Sequence, residues 1–311
     1  MVLLIWPADA FELISIGKKI CMDRRSFLGT IGSIAAITQT ASAADAGSQK
    51  SARQSSTSSG RKVGIALGGG SMHGIAHIGV VRALTERGLQ FDFIAGTSAG
   101  AVVGALTAAQ LPNDEIEQIV RGIEWPGLMN FAWSGKGLLR NPKLQTTIDA
   151  ALGGRRLEQL AIPFGAIATD VVNGERVIIR EGSAGAAIGA SCSIPVIFEP
   201  IKIDGRDLVD GCLTEPVPVI AVREMGADIV IGVDVAYRPN EERFYGLTGV
   251  AFQTMHIMGN ALINEHIRQA DVAIRMNLHQ YIGMDNSHEQ LIAAGYAAAI
   301  RAWPKLATAL L

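Results

Sequence analysis

The stretch that decides how this chain is read is Gly96-Thr97-Ser98-Ala99-Gly100. An apolar run, 91–95, precedes it, and a run of small residues suited to a helix, 101–110, follows. A strand, a sharp turn carrying a serine and then a helix is the context of a nucleophile elbow. Gly96 and Gly100 permit the tight turn and a close approach of helix to strand, and the turn lifts the Ser98 hydroxyl clear of the backbone. The first amides of the following helix point toward any anion formed there. In a chain with 35 glycines, the same wording also describes an ordinary strand-to-helix turn.

Upstream, 63–74 reads Val-Gly-Ile-Ala-Leu-Gly-Gly-Gly-Ser-Met-His-Gly. This predicts a buried strand over 63–67, a loop with exposed amides at Gly68, Gly69 and Gly70, and a helix over 74–87. Such amides suit a negative charge, either a dinucleotide pyrophosphate or the oxyanion of an acyl intermediate. The spacing Gly68-x-Gly70-x-x-x-Gly74 is one residue too long for the dinucleotide fingerprint. Glu86 falls inside the expected helix and Asp92 at the start of the next strand, so neither stands where a ribose-binding acid ends a second strand. Far along the chain, 201–213 reads Ile-Lys-Ile-Asp-Gly-Arg-Asp-Leu-Val-Asp-Gly-Cys-Leu. Asp204-Gly205 signals a hairpin turn, and Asp210-Gly211 ends its second strand. An aspartate there can stand beside a catalytic serine or simply form the turn.

Together these segments resemble the patatin-like phospholipases. Leu67-Gly-Gly-Gly-Ser-Met-His-Gly-Ile-Ala-His-Ile-Gly-Val80 is similar to that family's oxyanion-loop segment, and Gly96-Thr-Ser-Ala-Gly100 to its nucleophile motif. Ala190-Ser-Cys-Ser-Ile-Pro195, Phe198-Glu-Pro200 and Leu208-Val-Asp-Gly211 are similar to the stretch leading to its aspartate, and Ala227-Asp-Ile-Val-Ile-Gly-Val-Asp234 to the strand that follows. The resemblance covers 62–311. It implies Ser98 as nucleophile, Asp210 as its base without a histidine, and an oxyanion hole made by the amides of Gly68, Gly69 and Gly70. Gly96, Gly100, His73, Gly74 and Gly211 would support these groups. The implied substrate is a lipid or other acyl ester, cleaved through an acyl-serine without metal or cofactor. The chemistry is demanding, because a free carboxylate with pKa about 4 is a poor base for a hydroxyl. Burial would raise that value toward operating pH, and each oxyanion donor is typically worth roughly 3 kcal/mol. Two positions depart from the family pattern. His73 stands where a basic residue, usually arginine, is common, so a permanent charge becomes a titratable one. Cys212 stands where glycine or alanine is usual and is small enough to fit.

Other chemistries remain to be weighed. His73 and His77 lie four apart on one helical face, which would suit zinc, yet no acidic or cysteine partner has matching spacing. An ordinary Ser-His-Asp triad would draw on His279 or His288, and neither has a distinctive context. A protein that keeps the fold but mainly binds lipid or a partner is the alternative to an active hydrolase, and a nicotinamide-dependent oxidoreductase is a third reading. The net charge of −2 gives no electrostatic case for nucleic acid.

The first sixty residues pose a separate problem. Asp23-Arg-Arg-Ser-Phe-Leu28 resembles a twin-arginine export signal, followed by a mildly apolar run, 29–37, and a processing site at Thr40-Ala-Ser-Ala43. The expected organisation is an export signal over 1–43, a disordered linker over 44–61 and a catalytic domain over 62–311. Met22 is a candidate start, in which case 1–21 is not translated. Export predicts a periplasmic location; a chance Arg-Arg in a tail would leave the chain cytoplasmic. After processing only Cys192 and Cys212 remain, and two buried thiols are expected rather than a bridge.

About 250 residues suffice for one sizeable α/β domain. The pattern predicts strands over 63–67, 91–95, 164–171, 175–180, 201–210 (a hairpin) and 228–235. Helices are expected over 74–87, 99–110, 184–190, 217–225, 246–270 and 286–310, with a helical, irregular region over 113–160. This alternation implies a three-layer α/β fold with a mostly parallel central sheet between helices, and a site beyond the carboxyl ends of the strands. Trp125, Leu128, Met129, Phe131 and Trp133 read as a local core cluster rather than a lid. The apolar run 291–311, broken by Arg301, Pro304 and Lys305, reads as a packed helix rather than a membrane span.

Overall fold

The computed structural model describes residues 60–123, 130–131, 139–236, 246–278 and 287–311. The export signal and nearly all of the linker expected over 1–61 lie outside these, as do His279 and all of the middle aromatic cluster except the backbone of Phe131. In chain order the first half comprises β1 (Val63–Leu67), α1 (Ala76–Thr85), β2 (Phe93–Thr97), α2 (Ala99–Ala108), α3 (Asn113–Arg121), the short ribbon β3 (Asn130–Phe131) and β4 (Leu139–Arg140), and α4 (Pro142–Ala151). The second half comprises β5 (Phe164–Asp170), β6 (Arg176–Ile179), α5 (Ala184–Ser191), β7 (Ile201–Ile203), β8 (Arg206–Asp210), α6 (Val219–Glu224), β9 (Ile229–Asp234), α7 (Gly246–Ile267), β10 (Val272–Arg275) and α8 (Ser287–Leu310).

The main sheet runs β10-β9-β1-β2-β5-β8-β7. All pairings from β10 to β5 are parallel, and β6, β7 and β8 join antiparallel. The parallel strands are hydrophobic throughout because helices cover both faces. Their period-two alternation divides the side chains between two cores. Val63, Ile65 and Leu67 of β1, with Ile229, Ile231 and Val233 of β9, join the larger core under α1, α2, α5 and α8. Ala66, Ala95, Ile167 and Val230 face the smaller core with Val219 and Val222 of α6 and Ile263 and Ile267 of α7. These two helix layers and the sheet between them make the three layers.

Several boundaries differ from the sequence reading. β2 runs on through Gly96 and Thr97, two residues past the expected end, so the strand enters the motif itself. Before α1, Ser71–Ile75 forms a 3-10 turn, so the helical region begins ahead of Gly74. β10 was not anticipated. It is a four-residue edge strand whose alternating burial rests on Val272 and Ile274 alone.

Candidate active site

Ser98 follows β2 directly, with φ 53° and ψ −121°, a strained backbone for a non-glycine residue. The turn is possible because helix and strand nearly touch. A Cβ on Gly96 would stand 2.3 Å from the Gly100 carbonyl oxygen, and one on Gly100 would stand 2.1 Å from that of Leu67. Gly74 packs just as tightly, its missing Cβ lying 2.3 Å from that of Ala99. The Ser98 amide donates to Ser191 Oγ at 2.9 Å, and Ser191 Oγ donates in turn to the Ile167 carbonyl at 2.6 Å.

Strand register brings Asp210 to this serine. Thr97 pairs with Ile167, and the next residue of β5, Ala168, pairs with Asp210. β6 occupies the opposite edge of β5 across 166–169, so β2 and β8 share one edge and meet there end to end. β2 leaves that edge at Ser98, and β8 arrives at Asp210 from the other direction. Gly211 lets the chain turn away at once, since a Cβ there would lie 2.4 Å from the Ile167 carbonyl oxygen. The Asp210 amide donates to the Ser193 carbonyl, and the Asp210 carbonyl accepts from the Thr169 hydroxyl.

Both side chains are buried, Ser98 being 6% and Asp210 3% exposed. Burial pushes the Asp210 carboxyl from 3.8 up to about 6, opposed by the Cys212 amide, the Cys212 thiol and Ser98 as hydrogen-bond partners. The Cys212 amide lies 2.9 Å from Asp210 Oδ1. Cys192, at the end of α5, is buried beside Ser98, and burial together with the charge of Asp210 holds its thiol well above the usual range.

The glycine loop overhangs this pair. A Cβ on Gly69 would fall 3.4 Å from Ser98 Cβ and 2.3 Å from Cys212 Sγ. Two of the three expected donors are engaged elsewhere. The Gly68 amide donates to the Val233 carbonyl and the Gly69 amide to the Pro216 carbonyl. The bonds that fix the loop in place thus occupy its first two amides, while that of Gly70 has no acceptor among the described residues. His77 contributes to the same fixing. It is fully buried, its Nε2 donates to the Gly68 carbonyl at 2.7 Å, and burial lowers its pKa to about 4, so the ring is neutral. In the sequence His77 lies within the loop-and-helix segment, and its spacing from His73 suggests only a metal pair; nothing local announces its bond to Gly68. His288, in the first turn of α8, lines a small pocket together with Ser71 and Ala99, and no hydrogen bond joins it to Ser98 or Asp210. Ser191 and Cys192 lie inside the Ala190–Pro195 segment and Cys212 is a departure from the family pattern, but nothing local in the sequence indicates what their side chains touch.

The patatin-like phospholipase family model matches residues 65–223, a span that contains the glycine loop, Ser98 and Asp210. The chain belongs to that family. An uncharacterised NTE family protein of Mycobacterium bovis is 38% identical over 181 residues, covering 57% of this chain and 50% of the relative. Lysophospholipase NTE1 of Coccidioides immitis is 32% identical over 196 residues, covering 60% of this chain and 12% of the relative. The chain therefore matches half or less of the length of these relatives. VipD from Legionella pneumophila shares the patatin-like fold at a TM-score of 0.50 and 14% identity, over 80% of this chain and 69% of that one.

Proposed function

We propose that this patatin-like protein is a lipid acyl hydrolase working through a Ser98–Asp210 dyad. The observation that carries the reading is the head-to-head meeting of β2 and β8, which sets a strained, buried serine against a buried carboxyl beneath a glycine loop. Ser98 Oγ attacks the ester carbonyl while its proton passes to Asp210. The neutral acid then protonates the leaving alkoxide and, as carboxylate again, draws a proton from the water that cleaves the acyl-serine. A base whose pKa is about 6 suits both directions of transfer near neutral pH. Because the Gly68 and Gly69 amides are engaged, we assign the oxyanion to the amides of Gly70 and Ala99, the latter at the start of α2.

The lipid reading is supported by a small, mostly apolar pocket beside the site, lined by Ser71, Met72, Ala99, Val102, Val103, Val120, Ile123 and His288, which offers an acyl group apolar contact. Approach to a lipid surface is supported by exposed apolar side chains: Leu213, three residues after Asp210, and Ile257 and Met258 on α7, a helix that packs against the Gly211–Leu213 turn. A fluorophosphonate probe tests the reading. The wild-type protein should be labelled at Ser98, Ser98→Ala should not, and Asp210→Asn should lose at least about a thousandfold in ester turnover while remaining folded. An unlabelled wild-type protein that still binds lipid vesicles would favour the alternative of an inactive lipid-binding member of the family.

A further inference from the structure

We infer that Glu215 is a positioning residue: it fixes the segment whose backbone carbonyls hold the elbow on one side and the glycine loop on the other. The inference rests on the proposed dyad and deepens it. The Glu215 carbonyl accepts from the Thr97 hydroxyl at 2.8 Å, and the next carbonyl, that of Pro216, accepts from the Gly69 amide at 2.9 Å. Thr97 immediately precedes Ser98, and Gly69 immediately precedes Gly70, an assigned oxyanion donor. The same segment leaves the turn that follows Asp210, since the Glu215 amide donates to the Gly211 carbonyl at 2.8 Å. Two adjacent carbonyls therefore set nucleophile and oxyanion donor relative to one another, each through the residue beside it.

The Glu215 side chain ties these carbonyls down. It is fully buried, and a buried carboxylate persists only when its oxygens are matched. Oε1 accepts the amides of Ile220 at 2.7 Å and Ala221 at 3.0 Å, in the first turn of α6. Oε2 pairs with Arg176 Nη1 on β6 at 2.7 Å. Arg176 in turn reaches Glu224, the last residue of α6, so helix, edge strand and segment form one clamp. Pro216 and Pro218 bring no amide of their own, so polar anchoring of the backbone before α6 rests largely on that carboxylate. Sealing α6 onto the sheet would need only the side chain; the two carbonyl contacts are what connect it to the site. Gly68 is held independently, by the Val233 carbonyl of β9. Loss of the carboxylate should loosen Gly69 and not Gly68.

The test compares wild type, Glu215→Gln and Thr97→Val in the full chain, both replacements being isosteric. Glu215→Gln keeps an acceptor for α6 and loses the ion pair with Arg176; Thr97→Val cuts the elbow contact alone. Fluorophosphonate titration counts competent sites, and kcat for a p-nitrophenyl ester is referred to that count. Glu215→Gln should lower kcat roughly ten- to a hundredfold with KM changed less than about twofold, because displaced reacting groups lose rate rather than affinity. Thr97→Val should lower kcat roughly three- to tenfold. The second readout, which needs no turnover, is amide hydrogen exchange followed by NMR. In Glu215→Gln the Gly69 amide should exchange at least about tenfold faster while the Gly68 amide is unchanged. Arg176→Gln breaks the same ion pair from its partly exposed side, should accelerate Gly69 selectively as well, and decides the matter if Glu215→Gln does not fold. Equal acceleration of both amides, as global destabilisation would give, or acceleration of neither, overturns the inference; so does an unaltered kcat in Thr97→Val. A wild type without esterase activity would count against the proposed function, and the exchange of Gly69 against Gly68 would still decide the role of Glu215.

Discussion

The two strand ends that meet on one edge of β5 are built by opposite means. The β2 end is shaped by missing side chains: Gly96 and Gly100 let backbone pass within contact of backbone, and Ser98 absorbs the turn in a strained conformation. The β8 end is shaped by polar groups: Asp210 is held through the Ser193 carbonyl, the Thr169 hydroxyl and the Cys212 amide. Each end carries one unfavourable feature. At Ser98 it is steric, of order 1–3 kcal/mol and independent of pH. At Asp210 it is the burial of a charge, which changes with pH. Geometry thus sets one half of the site and titration the other, and stability measurements can separate them.

The largest effect is expected where backbone meets backbone. In Gly100→Ala the new methyl would lie 2.1 Å from the Leu67 carbonyl oxygen and 2.5 Å from its carbon, and neither can move without opening β1. A loss of more than about 3 kcal/mol, or failure to fold, should appear in urea unfolding. Gly259→Ala is the matched control. That glycine lies inside α7 with nothing within 4 Å of its missing Cβ, so alanine there should stabilise by up to about 1 kcal/mol. Equal stability of the two variants would remove the claim that close packing builds the elbow.

The same contrast explains what the sequence makes legible. The elbow and the glycine loop are local, so the spacing of small residues and the flanking apolar runs announce them, together with the parallel core strands. The meeting of Ser98 with Asp210 is not local. It depends on β8 taking over the edge of β5 at Ala168, a choice of partner and register that period-two alternation does not encode. Family resemblance supplied Asp210; the residues alone left it as a turn-former. Backbone accounting is invisible for the same reason. Gly68 and Gly69 read as free donors until β9 and the segment before α6 arrive to accept from them. β10 escaped notice because two apolar positions in four residues make a weak pattern.

The electrostatic half should respond to Asp210→Asn with a sign opposite to that of Gly100→Ala. The folded carboxyl titrates at about 6, above its ordinary 3.8. Between those values the native state holds a proton that the unfolded chain has released. Stability is therefore greatest below about pH 4, falls as pH rises through about 6, and is level beyond. Removing the titration should make Asp210→Asn more stable than wild type at pH 8, by up to about 3 kcal/mol, with the gain shrinking toward zero near pH 4. Denaturant midpoints at the two pH values measure this directly. A variant less stable than wild type at pH 8 would show that the carboxylate is better paired than its neighbours imply. A gain in stability alongside lost turnover is the expected signature of a group buried for function.

The smallest effect concerns the brace between the two ends. The end of α5 reaches both: Ser191 through its side chain, which bonds the Ser98 amide and the Ile167 carbonyl, and Ser193 through its backbone carbonyl, which accepts the Asp210 amide. Ser191→Ala leaves a buried amide and a buried carbonyl unpaired and should lower stability by about 2 kcal/mol, with some loss of turnover as the elbow loosens. Ser193→Ala leaves the carbonyl that holds Asp210 untouched and removes a hydroxyl that donates to the Gly189 carbonyl and accepts from Asn141 Nδ2 at 3.4 Å; those two groups keep their bond to each other, so its loss should stay at about 1 kcal/mol. If the two substitutions prove equal, the Ser191 hydroxyl is not what holds Ser98 in its strained turn, and the close packing of Gly96 and Gly100 must do so alone.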